Sequence, residues 1–177
     1  FSRLIEEGKV RAIGASNFTA DRFERALLIA EQQHLARYEC LQPEYNLVAR
    51  AHYEKHYEML ARRKEIGVTP YYALASGFLT GKYRHSGDAA RSGARGAGAM
   101  RHLDARGRRV LAALDEVAAA HQATPAQVAL AWLIARPGIT APIASATSAT
   151  QAEELVGAMQ LALKPGEISA LDRASAA

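Results

Sequence analysis

Residues 68–83 read Val68-Thr-Pro-Tyr-Tyr-Ala-Leu-Ala-Ser-Gly-Phe-Leu-Thr-Gly-Lys-Tyr83. The first half of this stretch, Val68–Leu74, is apolar and aromatic, which predicts a buried strand. The second half is rich in small residues and ends near Lys82, so the backbone stays accessible beside a positive charge. A strand followed by such a loop favours phosphate binding. The rest of the chain repeats the order of strand, polar loop and helix.

Length and composition narrow the class of protein. The chain has 177 residues, of which 49% are apolar and 23% charged, so we expect one domain with a real core. No apolar run approaches the roughly 18 residues of a membrane helix, and no signal peptide is apparent. The single cysteine, Cys40, excludes an internal disulfide. These features predict a cytoplasmic protein that does not enter a membrane.

Four short apolar segments are predicted to be strands, each followed by a helix. The predicted strands are Val10–Ser16, Tyr38–Glu44, Val68–Leu74 and Thr140–Ser145. The first predicted helix begins after a Thr19 cap. The later ones are Ala51–Ile66 (ended by Gly67), Arg108–His121, a helix from Pro125 after a Thr124 cap, Gln151–Met159 and Pro165–Arg173. Residues 84–106 lose periodicity and are predicted to be a flexible loop. This α/β order indicates a parallel sheet covered by helices.

Polar residues follow the end of each predicted strand. They are Ser16 and Asn17; Gln42, Glu44 and Asn46; Ser76 to Lys82; and Ser145 to Ser148. Because the carboxyl ends of parallel strands share one rim, we expect these residues to form one composite site.

Four strands alone would leave two open sheet edges and an uncovered inner face. In addition, Phe1–Gly8 resembles the last turns of a helix that ends at a glycine. We therefore expect the chain to be part of a larger barrel or to associate with itself through the open edges.

The four rim segments together resemble the aldo-keto reductases. Glu7–Phe18, Gln42–Asn46, Tyr71–Tyr83 and Pro142–Glu154 occur in the order and approximate spacing of that family. The resemblance covers residues 1–177 and implies a parallel α/β fold of the (β/α) TIM-barrel type, represented by strands five to eight. It also implies binding of NADP or NAD and reduction of a small-molecule aldehyde or ketone by hydride transfer.

The resemblance implies roles for individual residues. Ser16, Asn17 and Gln42 resemble side chains that hold the nicotinamide carboxamide, which needs both donors and acceptors. Tyr71 resembles the aromatic that stacks on the nicotinamide ring. Its neighbour Tyr72 is also a candidate, because adjacent residues of a strand point to opposite faces and one of the two tyrosines faces the rim. Tyr71 is the favoured one. The pyrophosphate loop is represented by Leu74, Ala75, Ser76 and Lys82. The adenosine segment is represented by Ser145, Thr147, Ser148, Gln151 and Glu154.

Two departures from the family pattern limit these expectations. The catalytic Asp, Tyr, Lys and His of the family belong to the first half of its barrel, so no catalytic residue is assigned and the isolated chain is predicted to be inactive. Moreover, Ser145, Ser148 and Gln151 are not basic, although relatives that use NADPH commonly pair its 2′-phosphate with a cation near these positions. The choice between NADP and NAD therefore stays open.

Simpler interpretations compete with binding at several positions. Ser16-Asn17 could be a helix-capping turn, Gln42 could bond to backbone, and Lys82 could be a solvated lysine. His52 and His56 resemble half a zinc site, but no third ligand is evident, which favours a solvated helix face and no metal. Cys40 is interpreted as a buried small hydrophobic residue. The Arg-rich segment 84–109 lacks interleaved aromatics, which argues against nucleic-acid binding.

A second class of function is also consistent with the resemblance. Members of this fold include channel-associated subunits that bind nicotinamide nucleotide and act as regulators. The chain is therefore interpreted either as the cofactor-binding part of a reductase or as a nucleotide-binding regulatory module.

Overall fold

A computed structural model describes residues 1–85, 87–88 and 93–176 of the chain. Three strands form its sheet: β1 (Ile13–Ser16), β2 (Tyr38–Gln42) and β3 (Gly67–Val68). The α-helices of this part of the chain are α1 (Ser2–Glu6), α2 (Ala20–Gln32), α3 (Ala51–His56), α4 (Glu58–Arg63), α5 (Gly93–Met100), α6 (Ala105–His121), α7 (Pro125–Ile134), α8 (Ala149–Gly157) and α9 (Pro165–Ser175). Two 3₁₀ turns lie at Ala75–Thr80 and Ala158–Gln160.

The sheet is parallel, with strand order β1-β2-β3, as the sequence predicts. Ala15 pairs with Leu41 and Leu41 pairs with Val68, and all three side chains are buried. On the opposite face, Cys40 is only half-buried and its Sγ lies 3.3 Å from Thr69 Oγ1. The expectation of a buried Cys40 was therefore wrong, since its side chain stays partly exposed.

The fourth predicted strand, Thr140–Ser145, is not assigned as a strand. This segment runs beside β3, where Thr140 N donates to Val68 O at 2.8 Å and Ile143 N donates to Pro70 O at 2.8 Å. Pro70 and Pro142 have no N–H groups, so they cannot donate to a ladder. The segment keeps the position of a fourth strand without a strand's continuous pairing. The third strand is also shorter than expected: it ends at Val68, two residues before Pro70, and Tyr72 has a left-handed backbone with φ of 52°.

The predicted helix Ala51–Ile66 is broken at Tyr57 into α3 and α4. Tyr57 has φ of −119°, and its hydroxyl donates to the carbonyl of Phe18 at 2.7 Å. The sequence predicted that Gly67 ends this helix. In the structure Gly67 instead starts β3. The left-handed residue after α4 is Glu65.

The predicted flexible loop at 84–106 contains helix α5, and α6 begins at Ala105, before the predicted Arg108. Asp104 caps α6, because its Oδ1 accepts from Gly107 N at 2.7 Å. Residues 86 and 89–92 of the predicted loop lie outside the described residues. Glycine-rich helical segments are weak local signals, which explains why the sequence did not predict α5.

Two helix caps agree with the sequence. Thr19 caps α2 through Oγ1, which accepts from Arg22 N at 3.3 Å. Thr124 caps α7 in a capping box with Gln127, and Pro125 occupies the first helical position. Helix α7 is buried on nearly every side and places Trp132 at the centre of the core. The helices thereby cover one face of the sheet and leave the carboxyl ends of the strands accessible.

Candidate active site

The carboxyl ends of β1 and β2 are tied together by one polar contact. Ser16 and Gln42 are register partners, and Ser16 Oγ donates to the Gln42 carbonyl at 2.9 Å. Within the residues that the structure describes, the side-chain amide of Gln42 has no hydrogen-bond partner. This amide offers two donors and an acceptor to a ligand.

Asn17 and Tyr71 meet at the same rim, although 54 residues separate them. The Tyr71 hydroxyl donates to Asn17 Oδ1 at 3.3 Å, and Tyr71 forms an isolated parallel bridge with Glu44. Burial, reinforced by the nearby Glu44 carboxylate, raises the pKa of Tyr71. Its hydroxyl therefore stays a neutral hydrogen-bond donor at physiological pH. We call Ser16, Asn17, Gln42 and Tyr71 the rim cluster.

Tyr71 and Tyr72 occupy different environments. Tyr71 is half-buried and lines the cleft described below, whereas the Tyr72 side chain is 56% exposed. The two rings meet edge to face with centroids 5.2 Å apart. Only the Tyr71 ring lies where a ligand beside Asn17 could stack on it.

An open cleft of about 460 Å³ lies against the rim cluster. A cleft of this size falls in the usual range for small-molecule sites. It is lined by Asn17, Phe18, Thr19, Ala20, Asp21, Leu41, Gln42, Pro43, Glu44, His52, His56, Tyr57 and Tyr71. Another cavity, of about 340 Å³ between α2 and the end of α4, contains none of the predicted site residues. The first cleft is therefore the candidate site.

Left-handed backbone is concentrated at the predicted site. Among the described residues, seven other than glycine have positive φ, and four of them belong to the predicted site: Asn17, Tyr72, Ala75 and Ser76. The other three lie at or next to the ends of helices, where this conformation is common: His34, Glu65 and Gln122. Such strained conformations cluster at ligand sites because the surrounding structure must hold them.

The turn at Ala75–Thr80 contains further residues predicted to bind phosphate. Ala75 is buried, and its N–H donates to the Tyr72 carbonyl at 2.7 Å, so its side chain faces the core. A side chain at Gly77 would lie 3.4 Å from Lys82 Nζ, so the exposed Lys82 ammonium lies close over this turn. Ser76 packs against Gly98 of α5, where an added Cβ would lie 3.1 Å from Ser76 Oγ. Leu74 is half-buried at the start of the turn.

The residues predicted to bind adenosine are largely exposed and bond mainly to each other. Ser148 caps α8, with Oγ accepting from Gln151 N at 3.2 Å. Gln151 Oε1 accepts from Thr147 N at 2.9 Å and from Thr147 Oγ1 at 3.0 Å. We call Ser145, Thr147, Ser148 and Gln151 the α8 cap segment. Glu154 bonds to a residue outside this segment: its Oε1 accepts from Thr124 Oγ1 at 2.7 Å.

The sequence nominated Glu44 only as part of the composite rim site, and it did not nominate four other residues that line the cleft: Phe18, His52, His56 and Tyr57. His52 and His56 were considered as half a zinc site and interpreted instead as a solvated helix face. Their rings lie 5.2 Å apart, but the described part of the chain contains no group of three or more residues able to hold a metal ion. Burial raises the pKa of Tyr57, and the Tyr57 hydroxyl donates a hydrogen bond to the Phe18 carbonyl. The spacing of four between the histidines was the available signal for a shared helix face.

Comparison with known proteins identifies the family. The aldo/keto reductase family model matches residues 1–176. The chain belongs to this family. In keeping with the sequence, no helix in the described residues is long and apolar enough to cross a bilayer.

Several curated proteins are similar to this family member. A putative voltage-gated potassium channel subunit beta of Schizosaccharomyces pombe is 32% identical over 90% of the chain and 48% of its own length. Probable aldo-keto reductase 1 of Glycine max is 30% identical over 94% of the chain and 46% of its own length. The Escherichia coli protein Tas is 30% identical over 93% of the chain and 48% of its own length. The chain thus spans about half the length of the curated relatives it matches.

A solved structure supports the fold. The crystal structure of a thermostable aldo-keto reductase with the inhibitor epalrestat superimposes with a TM-score of 0.69. The alignment covers 97% of this chain and 51% of that protein, at 24% identity. The likeness shows that the parallel sheet and its helices have the TIM-barrel type of fold.

Proposed function

We propose that this chain is the cofactor-binding part of an NAD(P)H-dependent reductase of aldehydes or ketones, corresponding to strands five to eight of the (β/α)8 barrel. The Gln42 amide, with Ser16 and Asn17, holds the nicotinamide carboxamide, and the Tyr71 ring packs on the nicotinamide. Bound dinucleotide supplies the hydride. The residues that protonate the carbonyl oxygen lie outside this chain, so the chain by itself reduces no carbonyl compound.

The observation that carries this proposal is the meeting of the rim cluster beside one cleft. Residues from three strand ends converge there, and the Gln42 amide is left without a partner among the described residues. A primary amide on the ligand needs both donors and acceptors, which these side chains offer. The left-handed backbone at four of the proposed cofactor residues adds support, since such strain is typical of ligand sites.

The α8 cap segment favours NADH over NADPH in this proposal. The Gln151 side chain is turned back onto Thr147, and Ser148 is used as a helix cap. Neither offers a charge to a 2′-phosphate. A phosphate without a cationic partner lacks charge-assisted hydrogen bonds of about 1.5–3 kcal/mol each.

Fluorescence titration of the purified chain with NADH and NADPH tests the proposal. We expect saturable binding, with a Kd of about 1 μM and a preference for NADH. Gln42→Ala should raise the Kd about tenfold, while the exposed Gln160→Ala, a matched amide loss outside the cleft, should not change it. A folded chain, verified by circular dichroism, that binds neither nucleotide would disprove the proposal.

A regulatory module is the second candidate, because relatives from Schizosaccharomyces pombe and Arabidopsis thaliana are named potassium channel beta subunits. In this alternative the nucleotide binds in the same cleft and reports redox state to a partner protein. The discriminating assay follows NADH oxidation by the complete gene product with a panel of aldehydes. Turnover favours the reductase, whereas nucleotide binding without turnover favours the module.

We also propose a cytoplasmic location and self-association through the edge of the sheet at β1. That edge carries backbone groups able to pair with another strand. Size-exclusion chromatography with light scattering tests the association. A defined dimer is expected, and a monomer at all concentrations would contradict it.

A further inference from the structure

Asn46 is a fully buried polar residue in the loop between β2 and α3. Its exposed fraction is 0%, and both ends of its amide are used. Oδ1 accepts from Val48 N at 2.9 Å, and Nδ2 donates to the Tyr72 carbonyl at 2.9 Å. The backbone closes on itself too, since Ala49 N donates to the Asn46 carbonyl at 3.0 Å. Asn46 therefore forms hydrogen bonds both within its own loop and with Tyr72, which lies 26 residues further along the chain.

The Tyr72 peptide is the other end of this contact. Tyr72 has left-handed φ of 52°, and its carbonyl also accepts from Ala75 N at 2.7 Å. Its side chain is 56% exposed and so anchors the residue weakly. A non-glycine residue keeps this conformation only where its surroundings hold it there. The Asn46 amide and the Ala75 N–H are the groups that hold the Tyr72 carbonyl.

Tyr72 connects the two halves of the proposed cofactor site. On one side is Tyr71, whose hydroxyl contacts Asn17, and on the other is the left-handed turn at Ala75 and Ser76. Rotation of the peptide after Tyr72 would displace the stacking ring and the turn together. We infer that Asn46 is a positioning residue for the cofactor: it orients Tyr71 and the Ala75–Ser76 turn by holding the Tyr72 carbonyl. This inference rests on the proposed function.

Asn46→Asp tests the inference because it removes only the donor. The acceptor for Val48 N is retained, but an ionised carboxylate would face the Tyr72 carbonyl. Burial beside that carbonyl raises the pKa of the introduced carboxyl, which on acidification becomes protonated and can donate again. By calorimetric titration with NAD⁺, we expect the Kd of the variant to be about tenfold higher than that of the unmodified chain near pH 8. Near pH 5.5 we expect it to return to within about twofold.

Val128→Ala is the matched control. Val128 is fully buried on α7 and is not part of the cleft, so this variant should lower the unfolding temperature without changing NAD⁺ affinity. Hydrogen exchange of the Ala75 amide gives a second readout. It should be faster in Asn46→Asp than in the unmodified chain at the same pH, and unchanged in Val128→Ala at temperatures where both are folded.

Each result bears on one of the two proposals. The inference is overturned if Asn46→Asp binds NAD⁺ like the unmodified chain, loses affinity without recovery in acid, or weakens binding no more than Val128→Ala does. If the unmodified chain binds neither NAD⁺ nor NADP⁺, the cofactor proposal fails. In that case the Ala75 exchange still tests the positioning of Tyr72, and an unchanged rate overturns it.

Discussion

The rim cluster and the α8 cap segment are built in opposite ways. In the rim cluster, hydrogen bonds join residues 26 and 54 positions apart, from Ser16 to Gln42 and from Tyr71 to Asn17. In the α8 cap segment they join residues three and four positions apart, from Gln151 to Ser148 and from Thr147 to Gln151. The first arrangement exists only when the sheet is assembled. The second follows from the local start of a helix.

This difference predicts different sensitivities. Loss of packing between β2 and α3 should disturb the rim cluster and leave the α8 cap segment unchanged. Loss of a single cap should loosen α8 and leave the rim cluster unchanged. Mutations in each region can therefore test whether the two parts of the proposed cofactor site are independent.

The largest effect is expected from Glu54→Gln on α3, the helix that carries the cleft residues His52 and His56. Glu54 Oε1 accepts from Arg50 Nε at 2.7 Å and from the Tyr45 hydroxyl at 2.8 Å, which joins α3 to the loop after β2. Removal of the charge should lower the free energy of unfolding by about 2 kcal/mol, measured by urea denaturation. Glu153→Gln on the exposed face of α8 should change it by less than about 0.5 kcal/mol. Equal losses would contradict the comparison.

The same carboxylate predicts a pH dependence. Burial raises the pKa of Glu54, but its hydrogen bonds with Arg50 and Tyr45 and the nearby guanidinium groups outweigh burial and hold the pKa below its ordinary value. Because the folded pKa is lower than the unfolded one, this stabilisation is complete above the unfolded value and is lost as pH falls through the folded value. Urea denaturation at descending pH should show a smaller acid loss in Glu54→Gln than in the unmodified chain. An identical profile would exclude this role.

An intermediate effect is expected from Tyr71, where two substitutions separate the stacking of the ring from the hydrogen bond of the hydroxyl. Tyr71→Ala should weaken NADH binding about tenfold, or 1.4 kcal/mol, because both interactions are lost. Tyr71→Phe should weaken it only about twofold, since the contact with Asn17 is long, at 3.3 Å. Fluorescence titration measures both. Equal losses in the two variants would show that the hydroxyl, and not the ring, carries the interaction.

The smallest effect is expected from Ser148→Ala in the α8 cap segment. Loss of the cap should destabilise the first turn of α8 by about 1 kcal/mol. Amide hydrogen exchange at Gln151 and Ala152 should accelerate, because these N–H groups bond to the Ser148 side chain and carbonyl. Exchange at Tyr71, whose N–H donates to the Pro43 carbonyl, should be unchanged. Faster exchange at both places would show that the regions are coupled.

Local signals in the sequence predicted local structure well. The caps at Thr19 and Thr124 were predicted from hydroxyl side chains before apolar helices, and both form. The break at Tyr57 was not predicted, because it depends on a hydroxyl contact with Phe18, 39 residues away. The helix α5 was missed because its glycines lower the helix propensity of the segment.

The candidate site divides in the same way. Motif order in the sequence nominated Ser16, Asn17, Gln42 and Tyr71 as neighbours, since the carboxyl ends of parallel strands share a rim. The sequence placed Asn46 in the composite rim site but gave it no role, because a buried asparagine and a turn asparagine look the same until the partner carbonyl is known. The resemblance assigned Glu154 to the adenosine segment, whereas its contact with the Thr124 hydroxyl could be seen only in the structure.

The sequence by itself determined the parallel α/β order and the local helix caps, because these depend on periodicity and on residues within one turn of each other. The order of its four rim segments also carried the resemblance to the family that the family model matches. Only the tertiary structure decided which tyrosine faces the cleft, where Asn46 reaches and why residues 140–145 run beside β3 without forming a strand. These features depend on hydrogen-bond partners that lie tens of residues apart, and such partners are chosen when the elements pack together.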